Sequence, residues 1–231
     1  MNSSSDNANL REGASGEGRQ SDQPIRFAGS MLGAKRHICA FFHNRDEEYQ
    51  VLLPFIKEGL KRGEKAFHIV DPQLREEHLK RLRSAGIDVA AEEQSRHLEL
   101  RNWAETYLRE GHFDQDGMLA LCQEVLQGGS QQGFALTRVI AHMEWALGDW
   151  PGVDDLLEYE TRLNYILPQY KDPVICTYDL AKFGANIVVD IMRTHPMIII
   201  GGILQHNPFF VPPEEFLREV RERRARRSTC A

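Results

Sequence analysis

Apolar and polar positions follow two alternating regimes along this chain: short apolar runs, then stretches in which apolar side chains recur at helical spacing. The first run, RHICAFF at 36–42, reads as a strand, and Tyr49, Leu52, Leu53, Ile56 and Leu60 then mark one face of a helix ending near Gly63. Lys65 to Val70 is a second strand closed by Asp71-Pro72, and residues 73–85 return to helical spacing before Gly86. Residues 98–102 read as a weaker strand, 115–126 as a helix with Asp114 as N-cap, and 134–146 as a long apolar and β-branched stretch. Residues 154–166 are helical and limited by Pro168; 174–178 is an apolar strand, 181–193 a helix and 197–200 another strand before Gly201-Gly202.

Strands that are apolar throughout and alternate with helices predict an α/β fold: three layers, with a mostly parallel central sheet flanked by helices. Ligands of such sheets sit outside the strand carboxyl ends. That rule directs attention to Phe42, His43, Asn44, Asp71, Asn102, Trp103, His142, Glu144, Trp145, Tyr178 and Asp179.

Residues 1–34 are rich in Ser, Gly, Asn, Asp and Gln and poor in large aliphatics, so they are expected to form a disordered tail. Composition narrows the remainder. In 231 residues, 42% hydrophobic and 27% charged, a sizeable core closes without disulfide staples, and the four cysteines form no CxxC. A net charge of −6 disfavours nucleic acid as the principal partner. Residues 1–13 hold no signal-peptide core, and the apolar run at 197–204 is too short to span a bilayer, so a cytoplasmic protein without membrane association is expected. The C-terminal residues 219–231 read as a basic helix end and tail carrying Arg221, Arg223, Arg224, Arg226 and Arg227.

Catalytic chemistry finds little support. The first strand-to-helix turn, FHNRDEEY at 42–49, has no glycine to close around a phosphate and places Asp46, Glu47 and Glu48 where a triphosphate would need positive charge. No GxGxxG and no GxSxG is present. Cys176 with His195 and Asp179 could make a nucleophile set, but Cys176 reads as a core thiol. His37 and Cys39 share one strand face without completing a metal ligand set. Aromatic side chains near strand ends, with Asn44, Arg138, Glu144 and His195 as polar groups, match the makeup of a small-molecule pocket.

The strings HICAFFHNRDEEY (37–49), GEKAFHIVD (63–71), MEWAL and LLEYETRLN (143–147 and 156–164), CTYDLAKF (176–183), RTHPMIIIGG and NPFFVPPEEFL (193–202 and 207–217), in that order and spacing, closely resemble the MEDS family, the methanogen/methylotroph DcmR sensory domain. The resemblance spans roughly residues 35–218. It matches His37, Phe42, Glu48 and Tyr49 in the first block, and Glu144, Trp145, Glu158, Glu160 and Asn164 in the middle blocks. Cys176, Tyr178, Asp179, His195, Pro196, Asn207 and Pro208 match the last.

The resemblance implies a RecA/KaiC-like derivative without a P-loop that senses small molecules, hydrocarbon derivatives among them, in bacterial or archaeal signalling and transcription. The expected ligand-binding residues are His37, Phe42, Asn44, Tyr49, Trp103, Arg138, Glu144, Trp145, Tyr178, Asp179 and His195. The expected partner is a signalling or transcription protein. No cofactor is identified. A regulator that docks on a kinase or transcription component without ligand, and a degenerate nucleotide-binding protein or a metal or haem sensor, stay open as alternatives.

Overall fold

The computed structural model describes residues 24–230, and the first part of the expected tail, 1–23, lies outside them. Seven strands form one sheet in the order β5-β4-β6-β7-β3-β8-β9: β3 (His37–Phe42), β4 (Lys65–Val70), β5 (Leu98–Asn102), β6 (Thr137–His142), β7 (Val174–Asp179), β8 (Met197–Ile200) and β9 (Ile203–His206). All neighbours are parallel except the edge pair β8–β9. This is the three-layer α/β arrangement the apolar strands predict.

Each strand divides its side chains between two cores by simple alternation. Cys39 and Phe41 of β3, with Cys176 and Tyr178 of β7, join the core under α4 (Gln115–Gln131), α5 (Leu156–Ile166) and α6 (Ala185–Thr194). Ile38, Ala40 and Phe42 of β3, with Ile140 and Ile175, join the opposite core under α1 (Arg45–Lys61), α2 (Arg75–Ser84) and α3 (Val89–Gln94). The last helix, α7 (Pro213–Cys230), packs on α5 and α6.

The expected tail boundary at 34 is set too late. Residues 25–32 form a hairpin of β1 (Ile25–Phe27) and β2 (Ser30–Leu32). Ile25, Phe27 and Leu32 are buried in the second core, and Phe27 stacks on Phe55. Three apolar side chains, well placed, outweigh the polar composition around them. The stretch 134–146 is strand only over Thr137–His142 and then tightens into a 3-10 turn, Met143–Leu147. The helix expected at 181–193 begins at Ala185, because the Asp179 carboxylate accepts the Ala181 N–H and holds the intervening residues in a turn. β9 follows Gly201-Gly202, both at positive φ, which makes a two-residue hairpin turn rather than a strand stop.

Candidate functional site

The carboxyl edge of the sheet carries two features. The first is a polar knot over β3, β6 and β7. Asn44 caps α1 by accepting the Glu47 N–H at 2.9 Å, and Glu47 in turn accepts the His43 N–H. Arg45 then bridges Glu48, at 2.6 Å, and Glu144. Glu48 also meets His142 Nε2 at 3.2 Å. Burial alone would push the Glu48 carboxyl up, but His142 and Arg45 outweigh it and hold it at about 2. Arg81 pairs with Asp46, so the acids at the head of α1 are already engaged. The crevice among Phe42, Asn44, Arg45, Glu48, Glu144, Thr177, Tyr178 and Asp179 leaves no water-sized space.

The second feature is an open cleft of about 480 Å³ beyond β4 and β5, bounded by Asp71, Pro72, Gln73, Trp103, Leu108 and Trp150. Its lining is almost wholly apolar. Trp103 joins the two features, since its indole N–H donates to the His142 carbonyl at 3.3 Å.

Of the expected ligand residues, Phe42, Asn44, Glu144, Tyr178 and Asp179 surround the closed crevice and Trp103 lines the open cleft. The other five take different places. Trp145 is fully buried, stacked on Tyr107 and tilted against Phe113, so it is a core side chain. Tyr49 donates to or accepts from His78 Nδ1 at 2.6 Å, and the Arg81 guanidinium lies over its ring. Arg138 sits near the start of β6, at the opposite edge of the sheet. There it is fully buried between Glu64 and Glu58 and donates to the Phe55 carbonyl. Gly59 makes room for it: a Cβ there would lie 2.6 Å from Arg138 Nε. The cleft residues missed by sequence are Trp150 and Leu108, which come from connections whose patterning carries no strand or helix signal, and Gln73, which opens the segment read as helical and lies in a 3-10 turn just after β4.

His37 and His195 also lie at the amino edge, one opening β3 and the other preceding β8. They converge on Glu160 of α5 with 4.0 Å between ring centroids. Glu160 Oε2 is 3.3 Å from each Nε2 and 3.8 Å from Cys176 Sγ, while Oε1 accepts from the Tyr178 hydroxyl at 3.0 Å. All of these side chains are buried. Desolvation, then the nearby His195, pushes His37 below the ordinary imidazole range, and desolvation pushes the Cys176 thiol well up. The imagined Cys176, His195, Asp179 set is therefore corrected: Cys176 and His195 do meet, but around Glu160, whereas Asp179 borders the carboxyl-edge crevice.

No helix among the described residues is long and apolar enough to cross a membrane. A KaiC-like protein from Pyrococcus horikoshii is similar in structure, with a TM-score of 0.49 and 15% identity over 71% of this chain and 69% of that one. The transcriptional repressor DcmR of Methylorubrum extorquens is 28% identical over 175 residues, 73% of this chain. The match spans 61% of that repressor's length. The profile described as MEDS, MEthanogen/methylotroph, DcmR Sensory domain, matches residues 36–196, and with the blocks and the fold above it the chain belongs to the MEDS family.

Proposed function

We propose that this chain is a noncatalytic sensor of a small, partly apolar molecule, such as a hydrocarbon derivative, and that it acts in transcriptional regulation. The observation that carries this reading is the open cleft of about 480 Å³ walled by Trp103 and Trp150 at the carboxyl ends of β4 and β5. Its relative DcmR is a transcriptional repressor, which supports the regulatory context. A ligand changes such a protein only by preferring one of its states. The Trp103 indole bond to the His142 carbonyl links the cleft wall to the turn that presents Glu144 to Arg45, and so offers a route from ligand to polar knot.

A second reading, docking of the arginine-rich end on an acidic partner, loses two of its arginines to contacts within the chain. Arg223 pairs with Asp190 and Glu219, and Arg224 with Asp155 and Glu158, so both tie α7 to its own domain.

Titration with a graded series of short-chain alcohols and halogenated hydrocarbons, followed by calorimetry, tests the cleft. Trp150→Ala and Trp103→Ala should each weaken binding about tenfold, equivalent to about 1.4 kcal/mol. Affinity unchanged in both variants would place the ligand elsewhere, and absence of binding across the series would remove an apolar ligand class.

A further inference from the structure

We propose that His37, Glu160, Cys176 and His195 form a closed structural metal site of the zinc class, buried beneath the sheet and independent of the cleft. One donor atom from each of the four residues lies within 4.8 Å of every other, and all four residues are buried.

The tautomers are the first argument. Asn164 donates its amide N–H groups to the carbonyls of Glu160, Thr161 and Thr194, which fixes its oxygen as the acceptor facing His37 Nδ1 at 3.1 Å. His37 Nδ1 must then carry the proton. His195 Nδ1 faces the Ile191 carbonyl at 3.0 Å, an acceptor only, and the Thr194 hydroxyl at 2.8 Å, whose own proton goes to that same carbonyl, so it carries a proton as well. In neutral rings both Nε2 atoms are bare lone pairs. Neither has a hydrogen-bond partner among the described residues, although each lies 3.3 Å from the same carboxylate oxygen. Two lone pairs and an anionic oxygen facing one another in a dry core repel unless a cation stands between them. Protonating one ring instead would satisfy one Nε2 and leave the other facing the carboxylate, and protonating both would stack two imidazolium ions with centroids 4.0 Å apart.

Distances are the second argument. Tetrahedral zinc with bonds of about 2.0–2.1 Å to nitrogen or oxygen and about 2.3 Å to sulfur separates its donors by about 3.3–3.6 Å. The separations from Glu160 Oε2 here are 3.3, 3.3 and 3.8 Å. The outer contacts fit too, because metal-bound histidine ordinarily donates its other N–H to a carbonyl or similar acceptor, as both rings do. Charge closes: the Cys176 thiol proton leaves on binding, and the thiolate and carboxylate neutralise a dication. Four protein donors leave no open position, which makes the site structural. It would clamp α5 to the start of β3, to β7 and to the approach to β8.

The full chain, unfolded and refolded with zinc chloride, with cobalt(II) chloride or with chelator, provides the test. One equivalent of zinc should stay with the desalted folded protein and raise its melting midpoint over the chelator-refolded sample. The cobalt form should show tetrahedral ligand-field bands and a thiolate-to-cobalt charge-transfer band. Cys176→Ser should lose the charge-transfer band, while Cys39→Ser, altering a buried thiol outside the tetrad that faces the Met197 carbonyl, should keep it. Failure of folded wild-type protein, checked by circular dichroism, to take up either ion would overturn the proposal. So would a wild-type cobalt spectrum without a thiolate band, or a band that survives in Cys176→Ser.

Discussion

The two faces of the sheet each bury a histidine cluster, and the clusters are wired differently. Under α5, His37 and His195 aim their Nε2 atoms at one carboxylate, and their Nδ1 atoms are spoken for by Asn164 and by Ile191. Under α1 and α2, the groups form a chain instead: the Tyr49 hydroxyl meets His78 Nδ1 at 2.6 Å, and His78 Nε2 meets His68 Nδ1 at 3.0 Å. His142 lies edge-on to His78, with ring centroids 5.8 Å apart, and pairs with Glu48 rather than with a member of the chain. In a chain of neutral rings each member bonds only its immediate neighbours, so a loss at one link leaves at most two groups unpaired. A convergent centre shares a single oxygen, and every member depends on it.

The difference predicts unequal costs. Glu160→Ala removes the carboxylate on which the two imidazoles converge and to which Tyr178 donates, and should lower stability by about 3–5 kcal/mol, read as a shifted urea midpoint at unchanged slope. An effect as small as that of a chain link would remove the contrast. The next effect is a pH dependence on the opposite face. Glu48 is held at about 2 against an ordinary 4.5, so its contribution is present above pH 4.5 and is lost as pH falls toward 2. The amount is about 3 kcal/mol. Glu48→Gln should flatten that acid limb in denaturant titrations. Asp172, half-buried beside the Thr137 amide, has the reverse sign: its carboxyl is raised to about 6, chiefly by desolvation. Stability therefore falls as pH rises from 3.8 to about 6, and Asp172→Asn should abolish that decline. The smallest effect belongs to the chain, where His78→Phe keeps the ring volume but frees the Tyr49 hydroxyl and His68, costing about 1–2 kcal/mol by thermal melting.

The framework was readable because β3, β4 and β7 are buried along almost their whole length and mostly apolar, with His37, His68 and Thr177 among the exceptions, and because Asp114 caps its helix as its position implies. The hairpin at 25–32 was not readable, since its three buried side chains are diluted in polar sequence. For the site, the strand-end rule found Phe42, Asn44, Trp103, Glu144, Tyr178 and Asp179. It did not apply to His37 or Arg138. His37 opens its strand and Arg138 is the second residue of its own, so both stood at the amino edge on their numbering alone. What numbering could not supply was the meeting of His37 with Glu160 and His195, because partners more than a hundred residues apart are joined only by the stacking of α5 across β3 and β7. Trp150 was missed for a related reason: it belongs to a connection, and its cleft exists only once β5 and its following turns are in place.

Cys39 and Cys122 are both sealed inside the same core, and desolvation drives their acidity down, Cys122 to about 12. Neither thiol can be alkylated until the packing around it parts. The rate at which a thiol reagent modifies them is thus a clock for opening of the interior, kept by the protein's own atoms and needing no attached label.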